Sequence, residues 1–429
     1  MKHAFSALIF ALVLMGFVCG AQATTYYVSN TGLDSNPGTQ TQPWATLQKA
    51  VDTIAAGDTI LVMPGTYIGC RIRTAGLSGA PKTLRSQTTR AAAVTSPGPL
   101  NRKSCDIELD ADNYTDPISY WVVDGFELKN APVAGVKALC APYLQFTNNW
   151  CHNNGTGGNG HDGFYGIVPS GLFANNVFAN NAEHGLYIGQ GVTDYVVLRD
   201  NVANDNNNMG FHNNGDKGAP FDDDGMVDYF LIERNKAYNC LTSHGMDGDG
   251  MAYSTIRNNL IYAVDNCGLM LTGVSGAMVS HHNRVLNNTI LSHLNFAVHI
   301  YRRGGDNNKL FNNILYWGGT GNDYGGSIAL STTLAQVGFE SNYNVVVDRL
   351  SLANKIKTLA QWRTYGYDLN SLLSTPAALF VDPANNNYHL KSGSPAANAG
   401  TTLSDVTDDI DKEARPQGAA YDIGCYEDF

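Results

Sequence analysis

The sequence predicts an all-β solenoid built from a stack of short coils, and two recurring patterns carry that prediction. The first is a set of residue pairs: Asn148-Asn149, Asn175-Asn176, Asp200-Asn201, Arg234-Asn235, Asn258-Asn259, Asn287-Asn288 and Asn312-Asn313. They sit between short apolar runs such as Leu172-Phe173 and Val177-Phe178. Their second members are spaced by 27, 25, 34, 24, 29 and 25 residues, the length of one solenoid coil, with no helical pattern across the region. A recurring Asn has a physical use there. Its amide can hydrogen-bond the same turn in the coils above and below, pairing groups that a tight, partly buried turn would orphan.

The second pattern lies between the pairs. His184-Gly185-Leu186-Tyr187-Ile188, Met209-Gly210-Phe211-His212-Asn213, His244-Gly245-Met246-Asp247-Gly248, Cys267-Gly268-Leu269-Met270-Leu271 and Phe296-Ala297-Val298-His299-Ile300 align on a small residue followed by an apolar one. Side chains alternate faces along a strand. Leu186, Phe211, Met246, Leu269 and Val298 therefore point inward, and Tyr187, His212, Asp247, Met270 and His299 form an outward column. Two residues on, the same face carries Gly189, Asn214, Asp249, Thr272 and Tyr301.

The individual elements follow in order. Residues 1–23 read as a secretory signal, with Lys2 and His3 before an apolar run and Ala21-Gln22-Ala23 as the cleavage site, so a secreted or periplasmic protein is expected. Thr25 to Val28 is a strand. Asn36-Pro37-Gly38 marks a turn-rich loop. Trp44, Leu47, Ala50, Val51 and Ile54 recur at helical spacing, predicting a helix that covers the open N-terminal end, where core and strand edges would be exposed. Thr59 to Met63 is a β run closed by Pro64-Gly65. Solenoid coils with this cap fill 24–345. Between Gly210 and Gly245 the period stretches, and the surplus falls in 213–228, an inserted loop of the kind that builds a binding face. C-terminal coils and a capping region take 346–429. They include a short helix or lid over 355–365, and the remainder packs over the C-terminal end.

Composition narrows the function. The chain has 429 residues, 43% hydrophobic, with 45 Gly, only 15% charged residues and a net charge of −11. That balance argues against a nucleic-acid binder, and no stretch beyond the signal is long and apolar enough to span a membrane. A monomer is expected. The early basic set Arg71, Arg73, Lys82, Arg85, Arg90, Arg102 and Lys103 reads as a solvated face. Seven cysteines follow the signal, an odd count that leaves at least one thiol free, and none has zinc spacing.

Tyr26-Tyr27-Val28-Ser29, Gly32-Leu33-Asp34-Ser35-Asn36-Pro37-Gly38, Pro43-Trp44-Ala45-Thr46-Leu47-Gln48-Lys49-Ala50 and Pro64-Gly65-Thr66-Tyr67 resemble the opening of bacterial right-handed parallel β-helix proteins of the pectate-lyase-like superfamily. Ser392-Gly393-Ser394-Pro395-Ala396, Arg415-Pro416-Gln417-Gly418 and Tyr421-Asp422-Ile423-Gly424 resemble their close. The resemblance implies that fold over almost the whole mature chain. Its members include lyases, hydrolases, epimerases and non-catalytic proteins, so the reaction must be argued from the site.

The column is where chemistry is expected. His212, Lys217 and His299 are candidate bases, Tyr187 and Tyr301 candidate proton donors, and His184 and His244 flank the cleft with Asn214. An acidic polysaccharide would then be cleaved by β-elimination, its carboxylate neutralised by Arg302, Arg303, Asn or calcium. Epimerisation would share the first step. Asp216, Asp222, Asp223 and Asp224 supply carboxylates for a calcium site, though no EF-hand spacing is present. Asp247, Asp249 and Asp216 are the alternative, a carboxylate set for glycoside hydrolysis. A non-catalytic glycan-binding role is the third class.

Overall fold

The computed structural model describes residues 22–110, 116–155, 162–189, 193–215, 225–240, 242–273, 279–302, 304–319 and 324–428. Residues 1–21 of the signal lie outside them. So do Asp216, Lys217, Asp222, Asp223 and Asp224 of the inserted loop, and Arg303.

Three twelve-stranded sheets wrap around one long core, and each turn of the chain adds one strand to each sheet. The first sheet runs from Thr25–Val28 to Glu340–Asn342 and the third from Gly65–Tyr67 to Leu372–Leu373. The second begins at Cys70–Ile72 and carries the column. Its strands pair in parallel up to Leu350–Leu352, where Lys355–Lys357 returns antiparallel. Parallel pairing in the third sheet continues beyond residue 345, with Val345 beside Leu372.

The Asn pairs are the corners of this stack. The first member of each takes a left-handed conformation, with φ between 50° and 59° from Asn148 to Asn312. Asn and Asp tolerate that region. Arg234 also occupies it, held by Asp200 at 3.0 Å, Glu233 at 2.8 Å and Asp408 at 2.8 Å. The second member is fully buried. Its Oδ1 accepts the backbone N–H of the preceding ladder Asn at 2.9–3.0 Å, continuously through Asn149, Asn176, Asn201, Asn235, Asn259, Asn288, Asn313 and Asn344. A second ladder, Asn154–Asn181–Asn206, and a shorter one, Asn283–Asn308, do the same at other corners.

The apolar positions Leu186, Phe211, Met246, Leu269 and Val298 all lie inside at 0–1% exposure. Phe146, Phe164, Phe173 and Phe178 interlock in the same core at 4.8–6.4 Å between ring centroids. Burying each such ring contributes about 1.5–3 kcal/mol.

A helix spans Leu47–Thr53, with Leu47, Ala50 and Val51 buried and the Thr46 side chain capping its start. Gln48 reaches the outermost strand of the second sheet. Its Nε2 donates to the Arg71 carbonyl at 2.9 Å and its Oε1 accepts the Arg71 N–H at 2.8 Å, pairing an otherwise open edge. Most of the early basic set is ion-paired rather than merely solvated: Arg71 with Glu108 at 3.2 Å, Arg73 with Asp52 at 2.9 Å, Arg85 with Asp124 at 2.7 Å and Arg102 with Asp110 at 2.8 Å.

At the far end, the short helix Leu359–Arg363 buries Trp362, whose Nε1 donates to Asp368 at 2.8 Å. The chain beyond it corrects the sequence expectation. Instead of packing over the C-terminal end, it folds back along the outside of the third sheet. Leu379, Phe380, Tyr388, Ile423 and Cys425 cover Leu260, Ile314 and Val345 there. Those outward positions are apolar and need a cover, which is the physical reason for the course. Buried Arg415 pairs with Glu427 at 2.6 Å and donates to the Gly424 carbonyl at 2.8 Å. The seven described cysteines are buried, free thiols.

Candidate functional site

The strands Leu186–Gly189, Phe211–Asn214, Met246–Asp249, Leu269–Thr272 and Val298–Ile300 are consecutive in the second sheet. Their register places Tyr187 beside His212, His212 beside Asp247, Asp247 beside Met270 and Met270 beside His299. Gly189, Asn214, Asp249 and Thr272 align two residues on. The first column therefore stands as the alternation predicts, and the second does from Gly189 to Thr272, with Tyr301 just beyond the end of its strand.

The column extends further than the motif alignment above. Asp162-Gly163-Phe164-Tyr165 and Ala134-Gly135-Val136-Lys137 repeat the same pattern one and two coils earlier. Tyr165 stacks on Tyr187 at 5.0 Å, and Lys137 Nζ sits 4.7 Å from the Tyr165 ring centroid. Asp162, Tyr165 and Lys137 are the residues the sequence reading missed, although the Gly-apolar signal was there to find them.

Outward strand positions are ordinarily exposed, yet His212 retains 9%, His299 3% and Asp247 1% of their surface. Side chains on rungs about 4.8 Å apart shield one another, and residues from the preceding turns close the sides. The His184 ring lies 5.0 Å from His212, and His244 Nε2 lies 3.9 Å from Asp247 Oδ2.

Each histidine is distinguished by its contacts. His184 Nδ1 donates to Asp162 Oδ1 at 2.8 Å, because its Nε2 takes the Asn208 amide at 3.4 Å. His244 Nδ1 accepts the Cys267 N–H at 3.3 Å. His299 is tied at both nitrogens, to Ser331 Oγ at 2.8 Å and Cys267 Sγ at 3.7 Å. His212 differs from all three. Neither of its ring nitrogens has a hydrogen-bond partner, and its Nε2 stands 3.5 Å from Asp249 Oδ2. The Tyr187 ring meets it edge-on at 4.6 Å, and Asn214 Nδ2 donates to the Tyr187 hydroxyl.

Burial sets the charges. It holds the His212 imidazole below its ordinary pKa against the opposing pull of Asp249, and it lowers His244 to about 4 and His299 to about 3. All three are neutral at neutral pH. Asp247 goes the other way. Burial first, and the Asp249 charge second, push its carboxyl well above the usual range, which favours its protonated form. Its Oδ1 has no partner.

His212, Asp247 and Asp249 offer one ligand atom each within 4.8 Å of one another. One ring nitrogen and two carboxyls do not fit calcium, which takes six to eight oxygens. Among the described residues, Asp162–Glu183–His184 and His281–His282–Asp306 are the other groups with comparable spacing. Arg302 Nε donates to the Tyr301 hydroxyl at 2.7 Å, at the rim of the column.

Comparison with solved structures decides the fold. Pectate lyase Pel9A superposes with a TM-score of 0.65 over 96% of this chain and 98% of that one, at 16% identity. The chain has the pectate-lyase-like parallel β-helix fold. A second β-helix neighbour, XylC with xylose, gives 0.61 over 94% and 98% at 12% identity. The GH136 lacto-N-biosidase from Eubacterium ramulus gives 0.52 over 77% and 64% at 13% identity. Residues 30–70, the loop and helix near the start of the β-helix with the strands Thr59–Val62 and Gly65–Tyr67 that follow, match a family described as "Protein of unknown function (DUF1565)". The uncharacterized protein YwoF of Bacillus subtilis (strain 168) is 24% identical over 360 residues, covering 76% of each chain. Among the described residues, no helix is long and apolar enough to cross a membrane.

Proposed function

We propose that this chain is an exported carbohydrate-active enzyme that cleaves a uronate-containing polysaccharide by β-elimination, with His212 as base and Tyr187 as proton donor. The observation that carries the reading is His212 itself: buried, neutral, open at Nδ1, facing only the Asp249 carboxylate at 3.5 Å through Nε2, and set between Tyr187 and Asp247. A buried base with an unbonded ring nitrogen is costly unless a ligand completes it. His299, by contrast, has both nitrogens committed.

In this reading His212 takes the proton beside the uronate carboxylate. The electron pair forms the ring double bond, the bond to the leaving oxygen breaks, and the Tyr187 hydroxyl proton goes to that oxygen. Neutral Asp247 donates a hydrogen bond to the uronate carboxylate as charge develops on it, in a site with little water to compete. Lys137, on the same column, is a cation for a neighbouring uronate. Such a ladder of rungs lets one glycan lie across several coils. The fold neighbours support the class: one is titled a pectate lyase and another a lacto-N-biosidase.

One observation favours a second reading. Asp247 and Asp249 bring carboxyl oxygens within 4.8 Å, and burial raises the first well above the usual carboxyl range, an arrangement suited to an acid and a base or nucleophile for glycoside hydrolysis. One experiment separates the two. The protein is incubated with pectate, alginate, hyaluronan, glucuronan and rhamnogalacturonan, with and without calcium or chelator, while ultraviolet absorbance and reducing ends are followed. Elimination gives both an absorbing unsaturated uronate and a reducing end. Reducing ends alone overturn the lyase in favour of the carboxylate pair. A calcium-dependent rise brings the acidic loop at 216–224 into the mechanism.

A further inference from the structure

Beyond Asp247 the character of the cleft changes. A cavity of about 290 Å³ opens over the next two rungs, floored by Met270 and His299 and walled by His244, Cys267, Tyr301 and Tyr324. It is at the small end of ligand pockets, with room for a single sugar ring. We infer that this cavity is a subsite for an uncharged sugar, so that the polymer cleaved carries a neutral residue beside its uronate. The inference rests on the elimination reading for the position of the uronate, and on the cavity itself for the neighbour.

None of the described lining residues supplies a charge for a carboxylate. His299 is closed by Ser331 and Cys267, and His244 accepts a backbone N–H, so neither ring presents a cation inward. Burial keeps both rings, and the Cys267 thiol, uncharged. Asn266 and Asn295, joined by a hydrogen bond, complete the wall with amides. Arg302 follows Tyr301 of the wall. Its Nε donates to the Tyr301 hydroxyl and its guanidinium stacks 4.9 Å from the Tyr301 ring centroid, while the cavity wall is formed by Tyr301 itself. A carboxylate seated here would be desolvated without a partner, with Asp249 on the adjoining rung. A neutral pyranose is suited instead. Its C–H faces meet Met270 and the tyrosine rings, and its hydroxyls meet amide and phenol groups.

The other end of the column is the reverse. Lys137 lies three rungs before His212, and His299 three rungs after it, roughly 14 Å in each direction. The cleft thus has one cationic arm and one neutral arm, which specifies an alternating acidic and neutral polymer rather than a homopolyuronate.

The test is calorimetric binding to the full-length protein, which reads the subsite whether or not the glycan is cleaved at that position. His212→Ala is used so that ligands persist. The probes are hexasaccharides of hyaluronan and of the rhamnogalacturonan backbone, which alternate uronate with neutral sugar, and of polygalacturonate and mannuronan, which do not. The better alternating probe is expected to bind about tenfold tighter or more than either homopolymer. Met270→Arg, which puts a cation on the cavity floor, is expected to remove that ratio. Tyr324→Ala should weaken the alternating probe selectively. Equal or tighter binding of a homouronate by the unmutated cavity, or a ratio that both variants leave unchanged, overturns the subsite. Intact preference with no unsaturated product from the wild-type enzyme overturns the lyase reading and leaves the subsite standing.

Discussion

Replacing Asn259 by Ala tests whether the buried ladder holds the coils together. The Asn259 side chain accepts the Asn235 N–H at 2.9 Å and the Asn235 amide at 3.0 Å. It donates to the Ile232 carbonyl at 2.9 Å and to Asn288 Oδ1 at 3.0 Å. The site is fully buried, so water cannot replace these partners. Asn288 Oδ1 keeps the Asn259 backbone N–H and the Asn235 amide keeps the Leu198 carbonyl, leaving the Asn235 N–H and the Ile232 carbonyl stranded. At about 1–3 kcal/mol for each stranded group, the substitution costs ~4 kcal/mol, a large share of the ~5–15 kcal/mol by which folded proteins are ordinarily stable. Urea unfolding followed by circular dichroism reads it as a lowered midpoint. Thr255→Ala, on a half-buried strand position, is the control and shifts it little. A loss below about 1 kcal/mol in Asn259→Ala would refute the reasoning and return the corners to backbone pairing and core packing.

Four further outcomes follow from the other contacts described above. His212→Ala removes cleavage by a factor of about 10²–10⁴, the range for a general base, with an unchanged circular-dichroism spectrum; full activity would move the site off this column. The acid side of the kcat/KM profile falls below the ordinary His value of 6.5, because burial lowers His212, and Asp249→Asn moves it lower still by removing the charge that raises it; a limb above 6.5 contradicts the assignment. Stability has its own pH dependence. His244 and His299 bind protons more readily unfolded than folded, so their contribution is present above pH 6.5 and is lost as pH falls towards about 4 and 3; His299→Gln should flatten that slope in chemical unfolding. Finally, Glu427→Gln leaves buried Arg415 without its carboxylate, costs about 3–5 kcal/mol and should expose the stretch around Leu379 to Phe380 to limited proteolysis while the coils stay intact.

The solenoid was legible because both of its signals are local and repeated. An Asn at every corner and an inward apolar residue after every small one leave one register that buries the apolar set. The column followed from alternation alone. Its burial did not, because shielding comes from neighbouring coils, and a histidine that titrates looks the same in sequence as one tied down by Ser331 and Cys267. Those partners come from residues 32 apart in the case of His299. Asp162 and Lys137 were in reach, since their coils repeat the Gly-apolar pattern. The course of the last fifty residues was not. The stripe that calls it back, Leu260, Ile314 and Val345, lies on separate coils and becomes one surface only when they stack.

The ladder also bears on how such a molecule changes size. Because Oδ1 of each ladder Asn meets an identical group from the coil before, any coil bounded by two of them is interchangeable with its neighbours at that corner. A duplication or excision in phase, such as residues 260–288, rejoins Asn259 to Asn313 without orphaning an amide, whereas a break out of phase strands several. Growth by whole repeats is thereby cheap and growth by single residues is confined to the turns between strands. The length of glycan that the face can span is a property the lineage can adjust in steps of one coil.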